Sequence, residues 1–444
     1  LRGIGQPTLE RCRLAALTFL CAAATCASLA CAAQIYPEYH IRFQLDDFRR
    51  ASAIVVTFTI IGILFAYAEF SFGYFVGFYF FIMIAGYLWL NQFSAFTYNH
   101  LLSGFSAAVS ALAFIAPALF IKTPLPQRYT LSPWATDRLI STILVLGIGV
   151  ISIGAKYNFK IVSMEQIYDY RNALNMPKLL NYMIGITSGA LLPFSFACCI
   201  ELRKFWRATL ALLLLLAFYP ITLSKVSLLT SAWLIAMLLF SKLLELRIAV
   251  IVSLLGPLVA GILFYALAKY NWVSLEAARS YFALVNFRMV AIPSLAMDYY
   301  NDFFFRHDLT HFCQISALKP LMPCPYHEQI SVVIYNAFPT GGNFNASLFA
   351  TEGIASVGAP FAPITAFVCG LVIALANRAS AHLPRRLVLV SGAVLVQLLL
   401  NVPFTTVLLT HGAILLFLLW YVTPTIQNGS FATARHSVSG PDVL

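Results

Sequence analysis

The chain reads as an all-α integral membrane protein of about 12 transmembrane helices with one large outside loop. Three observations predict this. Of its 444 residues 60% are apolar and 14% aromatic, while only 10% are charged. Mean hydropathy is +0.82. Apolar runs of about 20 residues, the length a helix needs to cross the hydrocarbon core, recur along the chain. A soluble domain carries about 25% charged residues, so the composition excludes a water-soluble globular protein, a disordered chain and a disulfide-rich secreted module.

The whole of 1–444 reads as a single polytopic domain, with spans expected at 14–35, 52–69, 73–90, 101–121, 139–155 and 179–200, then 206–222, 227–241, 248–268, 355–377, 387–402 and 404–421. The first follows Arg11 and Arg13. Its Ala, Cys and Ser content and the Ser28-Leu29-Ala30-Cys31 run also suit a cleavable signal peptide, whose removal would leave the orientation of every later span unchanged. The run 51–90 is long enough for two helices and is broken only by Glu69, Ser71 and Gly73, so it reads as a tight hairpin. Pro220, Ser224 and Ser227 around Lys225 mark a second one.

A net charge of +11 would suggest nucleic acid in a soluble protein, but here the basic residues cluster between apolar runs, which is topology signalling. No nucleic-acid partner is expected. With the N-terminus in the cytoplasm, the compact clusters Arg11/Arg13, Lys122/Arg128/Arg138, Arg203/Lys204/Arg207, Lys242/Arg247 and Arg378/Arg385/Arg386 lie inside. The 28 Lys and Arg residues divide almost evenly between the sides. The inside clusters hug the spans, whereas five of the outside charges are spread along one loop of about 85 residues, where they carry little weight. An even number of spans returns the polar tail 428–444 to the cytoplasm.

Seven of the nine cysteines fall in or beside apolar segments, where a thiol is a small hydrophobe. Only Cys313 and Cys324 share a polar stretch, and they can pair in an oxidising compartment. His307 and His311, at i and i+4, would meet a metal if helical, but the segment lacks a zinc-protease glutamate. No metal and no cofactor are expected. Asn345-Ala-Ser347 and Asn428-Gly-Ser430 match glycosylation sequons, which occur often by chance.

Ionisable groups are scarce at mid-span, Lys225 near a hairpin tip and His411 apart, which disfavours an ion-coupled carrier. Polarity gathers in two outside loops, 156–178 and 269–353. Long loops without their own domain pattern tend to be functional. The part 280–296, apolar with one Arg and Pro293, reads as lying along or dipping into the membrane surface. Arg171 and Arg288, one per loop, fit a bidentate clamp on a lipid-linked diphosphate or simple interfacial anchors. Tyr168, Tyr170, Tyr299 and Tyr300 suit sugar stacking, or an ordinary interfacial aromatic belt. No nucleotide loop, nucleophile elbow or soluble catalytic domain is present, so any transferase chemistry here uses a substrate already activated on a lipid.

Several pieces in order carry a family resemblance: Ile167-Tyr168-Asp169-Tyr170-Arg171 before a span, Leu223-Ser224-Lys225 at a hairpin, and Arg288-Met-Val-Ala-Ile-Pro293 leading to Tyr299-Tyr300-Asn301-Asp302-Phe303. Gly342-Asn343-Phe344-Asn345-Ala346 and Glu352-Gly353-Ile354-Ala355 follow. In these, over roughly 156–378, the chain resembles the Wzy-type polymerases of oligosaccharide repeat units. The resemblance implies a bacterial inner-membrane enzyme with its active site facing the periplasm. Such an enzyme moves a growing glycan from undecaprenyl diphosphate onto the non-reducing sugar of an incoming lipid-linked repeat unit, with a chain-length regulator as partner. It also implies working arginines in two periplasmic loops, which Arg171 and Arg288 match in place. The family's arginine-to-glycine spacing in the first loop is not met, since the next glycine after Arg171 is Gly185.

The chemistry then assigns roles. Cleavage of the anomeric bond leaves negative charge on the diphosphate, which fixed cations stabilise as it develops. Arg171, Arg288 and Lys225 are the candidates. A carboxylate near the apolar boundary would act as base toward the attacking hydroxyl: Asp298 or Glu352, with Asp169 third. Tyr299, Tyr300, Asn301, Asn343 and Asn345 would orient sugars. One competing reading is an O-antigen ligase delivering lipid-linked glycan to lipid A core, for which His307, His311 and His327 are of interest. Another is a flippase or transporter of the lipid-linked oligosaccharide, which predicts charges lining the bundle and a small outside loop.

Overall fold

The computed structural model describes residues 6–162, 176–315, 318–338, 344, 350–427 and 429–431. Among these residues eleven helices are long and apolar enough to cross a membrane, as expected of a multi-pass membrane protein. In order, α1 is Gln6–Ile35, α2 Leu45–Tyr67, α3 Phe72–Leu90, α4 His100–Phe120 and α5 Pro133–Tyr157. Then come α6 Lys178–Glu201, α7 Phe205–Thr222, α8 Lys225–Leu243, α9 Leu246–Lys269 and α10 Leu275–Phe304. The rest are α11 Ile330–Ala337, α12 Ala350–Ser380, α13 Arg385–Leu399, α14 Phe404–Leu409 and α15 Ala413–Val422. A two-residue antiparallel pair, Ile426–Gln427 with Ser430–Phe431, closes the described chain.

Helix α3 is the hub. Every one of its residues is buried, including Tyr74, Tyr79, Tyr87 and Trp89. A helix apolar all round has no lipid face to keep, and small residues let its neighbours close in. Gly73 is one such place: Asn377 Oδ1 accepts its N–H at 2.6 Å, and Asn377 Nδ2 donates to Ala118 O at 2.7 Å.

The two ends of the bundle differ in their ion pairs, six of the seven among the described residues lying at one end. At the lower end Glu10 and Glu245 pair with Arg247, Glu69 with Arg385, Asp137 with Lys204 and Arg207, and Glu201 with Arg386. At the upper end Asp302 pairs with Arg306, and backbone contacts tie the chain: Arg42 N donates to Phe93 O, and Ile41 bridges Ser94. The dense basic clusters of the sequence thus form a collar on one side.

Three expectations about the spans change. First, the segment 269–353 is not one loop, because it contains α10, whose last turns lie in the core. This helix enters and leaves by the same end. Its start follows Lys269, which reaches Gln34 at the top of α1. Tyr281 Oη and Asn286 Nδ2 then bond to Pro257 O and Leu258 O halfway along α9. After a π-helical turn at Phe287–Ala291, Asp298 and Asn301 are back beside Ser94 and Ser103 at the upper end. The stretch 280–296, expected to lie along or dip into the membrane surface, forms the turning point of this path, and eleven candidates less this one leave ten crossings among the described residues.

Second, α12 is not one rod. Gly358 has φ +77°, a conformation that side chains disfavour, and a Cβ on Gly353 would lie 3.1 Å from Ala362 Cα. A continuous helix would separate these positions by ~13.5 Å, so the chain folds back at Gly358. Third, the expected spans 387–402 and 404–421 do not cross. Helices α13, α14 and α15 have 15, 6 and 10 residues, short of the ~20 that spanning needs. Arg386 and Tyr421 are both anchored at the lower end, while Thr410 and His411 pack on Gly185 and Gly189 in the middle of α6. Pro403 and Gly412, the latter with φ +76°, break the run into an inward hairpin.

Candidate active site

The last turns of α10 face the connector between α3 and α4. Asp298, Asn301 and Asp302, at i, i+3 and i+4, share one helix face, and the structure brings these three together. Asn99 caps α4 by accepting from Leu102 N at 3.0 Å, which fixes His100 at the first helical position. Pairing of 40–42 with 93–95 pins the connector from the other side.

Asp298 is 1% exposed. Ser94 Oγ donates to its Oδ2 at 2.8 Å, and Tyr98 Oη donates to its Oδ1. Tyr98 Oη also lies 2.8 Å from Asn91 Oδ1 and 3.1 Å from Tyr87 Oη. Asn301 Nδ2 donates to Tyr87 Oη at 3.0 Å, and Ser103 Oγ donates to Asn301 Oδ1 at 2.9 Å. His100 Nδ1 stands 2.8 Å from Asn91 Oδ1. Asp302 accepts from Arg306 Nη2 at 3.2 Å. Tyr98 owns one hydrogen and has three oxygen neighbours, so one mobile proton decides which contact is made. Burial first, and the Asp298 carboxylate second, raise the Tyr98 hydroxyl well above its usual range. It is a proton donor at neutral pH.

Ser94, Asn91 and His100 also line a cleft of about 670 Å³ between α2 and α4 at the end of α3. Asp298 therefore sits one hydrogen bond behind the cleft wall. Arg50, Asn91, Gln92, Ser94 and His100 occupy the top of the cleft, and Thr57, Phe58, Ile61 and Phe105 its lower part.

The other sequence candidates lie elsewhere. Tyr299 is fully buried, its ring stacked on Phe344 at 4.6 Å and edged by Phe96 and Phe338. Tyr300 is 3% exposed and donates to Phe344 O. Packing has already covered the ring faces assigned to sugar, so both tyrosines are core residues here. The Glu352 carboxylate accepts from Phe404 N at 2.7 Å and lies 3.4 Å from Thr405 Oγ1, so it holds the start of α14 rather than joining Asp298. Arg288 is half-buried in the π-turn, ten residues before Asp298. Lys225 opens α8 at the upper end, close to Pro220, whose carbonyl is bonded by Asn158 and Lys160. Arg171, Tyr168, Tyr170, Asp169, Asn343 and Asn345 lie outside the described residues.

Five members of the network, Asn91, Ser94, Tyr98, His100 and Ser103, were not singled out by sequence. For the first four the signal is the uncharged polar run Asn91-Gln-Phe-Ser94-Ala-Phe-Thr-Tyr98-Asn-His100 between two apolar spans, and Ser103 lies within the next span. Within 269–353, Cys313 and Cys324 form a disulfide, and Thr310 and His311 donate backbone N–H groups to Ala355 and Ser356 of α12. Compared with known proteins, the chain matches no family model, no curated protein and no solved structure.

Proposed function

We propose that the protein is a polymerase that joins undecaprenyl-diphosphate-linked oligosaccharide repeat units into O-antigen or exopolysaccharide at the periplasmic face of the bacterial inner membrane. The observation that carries this reading is the Ser94–Asp298 pair, a buried acid behind a hydroxyl that lines a cleft in the upper part of the bundle. Two features support the sidedness. Disulfides persist in oxidising compartments, and Cys313–Cys324 lies on the segment that follows α10 at the upper end. The dense basic collar is at the lower end, where the positive-inside rule puts the cytoplasm.

In this reading the acceptor hydroxyl gives its proton to Ser94 Oγ as Ser94 passes its own to Asp298, and the sugar oxygen bonds the anomeric carbon. The bond from that carbon to the diphosphate oxygen breaks, and the lipid diphosphate leaves with the electron pair. Arg171 and Arg288 clamp that charge as it develops, with Lys225 as a third cation. A chain-length regulator is the expected protein partner.

The test is deletion in the host, with restoration by wild type, Asp298→Asn or Arg288→Ala, and a gel of the surface polysaccharide. The polymerase reading expects the ladder to collapse to core plus one repeat, rescued by wild type and by neither variant. Core bearing no repeat, with polymer left on the carrier lipid, would identify a ligase. Repeat units trapped in the cytoplasm would identify a flippase.

A further inference from the structure

We infer that the cleft between α2 and α4 seats a polyisoprenoid phosphate, with the phosphate at Arg50 and the chain running down the apolar wall. This rests on the reading above and deepens it by giving the carrier lipid of the incoming acceptor unit a place against the Ser94–Asp298 pair, apart from the donor diphosphate assigned to Arg171, Arg288 and Lys225. Four observations carry it.

The cleft is amphipathic in the same sense as a membrane leaflet. Arg50, Asn91, Gln92 and His100 lie at its upper end, and Ile54, Ile61 and Phe105 lie below them. From Arg50 to Ile61 the wall runs ~16 Å along a helix, enough for several isoprene units. The walls also border lipid rather than protein, since Leu101 is 82% and Phe105 69% exposed.

Charge complementarity favours an anion. Arg50 is the one charged group in the wall, and among the described residues its guanidinium has no acidic partner. No carboxylate lines the cleft; Asp46 and Asp47 sit a turn higher on α2 and outside the wall. A guanidinium left unpaired at a hydrocarbon boundary suits a phosphate. The volume of about 670 Å³ falls in the ~300–1,000 Å³ range of small-molecule sites, and in its lower part the one polar side chain, Thr57, already donates to Ala53 O, which leaves little to offer a free phosphate.

The test is photo-crosslinking on the full-length protein in lipid nanodiscs, with a polyprenyl phosphate carrying a diazirine on its chain. The expected result is label on peptides of α2 and α4, displaced by unlabelled polyprenyl phosphate and not by pyrophosphate. Arg50→Ala should weaken competition roughly tenfold or more, the loss of one charge-assisted contact. Ala53→Trp and Ala108→Trp should fill the cleft and remove the label, with Val145→Trp, on a lipid-exposed face of α5, labelling as wild type. Ala53 is exposed, so its variant tests the seat even if the change at Ala108 prevents folding. Displacement by phosphatidylglycerol as well as by polyprenyl phosphate would mean an ordinary annular lipid and overturn the assignment. So would label on other helices, or cleft-filled variants that label normally. The readout is binding without turnover. An unlabelled cleft in a strain with an intact ladder therefore sinks the seat alone, and a labelled cleft with no ladder defect on deletion sinks the polymerase alone.

Discussion

Tyr98 governs the surroundings of Asp298 because its hydroxyl is shared among Asp298, Asn91 and Tyr87. Replacing it by Phe leaves buried Asp298 Oδ1 without its hydroxyl donor, while Asn91 Oδ1 keeps His100 and Tyr87 Oη keeps Asn301, at a cost of about 1–3 kcal/mol. Tyr98→Phe is therefore expected to lower the thermal unfolding midpoint in detergent and shorten the polysaccharide ladder. Ser94→Ala should abolish polymer and also lower the midpoint, since it leaves Asp298 Oδ2 and Phe96 N without this partner, and Ser94→Thr, which keeps the hydroxyl, should restore part of both. Unchanged polymer in Ser94→Ala would remove Ser94 from the proton path. Asp298 and Asn301 were legible in the sequence as part of a polar cluster that follows an apolar stretch, but the helix face they share with Asp302 was not, because the segment read as loop. Their partners on 91–103 were not, since uncharged polar residues in a short connector look like any turn. Tyr299 and Tyr300 illustrate a different limit: an aromatic residue at a membrane boundary reads the same whether its faces meet sugar or Phe344.

At the scale of elements, each of the ten crossings matches an expected span, six of them to within three residues at both ends, because an uninterrupted apolar run has one structural solution in lipid. The expectation failed where a run long enough for two spans spends part of its length on irregular backbone, as at 400–403 and 410–412. Hydropathy sums residues and does not see that Pro403 and Gly412 turn the chain back inside the bundle. The fold-back in α12 depends on Gly358, whose φ +77° and ψ 166° belong almost only to glycine. Gly358→Ala should cost ~1–3 kcal/mol, seen as a lower midpoint, and a midpoint equal to wild type would refute that fold-back. The disulfide closes an 11-residue separation. Losing it through Cys313→Ser should cost about 2–4 kcal/mol, checked by comparing unfolding with and without reductant. The segment it braces is hydrogen-bonded to α12, so the loss should also reach the Glu352 contact with α14.

For the molecule as a whole, ten crossings and two inward hairpins predict an accessibility pattern that twelve spans do not. A cysteine placed at Val402 should resist a membrane-impermeant maleimide from either side, while one at Leu321 labels only from outside and one at Ala381 only from inside. Labelling of the Val402 variant from outside would restore the twelve-span topology. These measurements suit a background in which Cys12, the exposed free cysteine, is replaced.

The burial of α3 bears on how the protein is made. Its partners α12 and α13 are synthesised up to about 300 residues later, which at ~5–20 residues per second is ~15–60 s. During that interval α3 must wait in lipid as an independent span, which its 19 apolar residues allow. Tyr87 finds Tyr98 almost at once, only 11 residues on, but Tyr79 waits for Ser253 in α9. Assembly is thus timed by the arrival of the second half of the chain, and a ribosome that stalls before α9 leaves the most aromatic helix of the protein exposed to the membrane quality-control machinery.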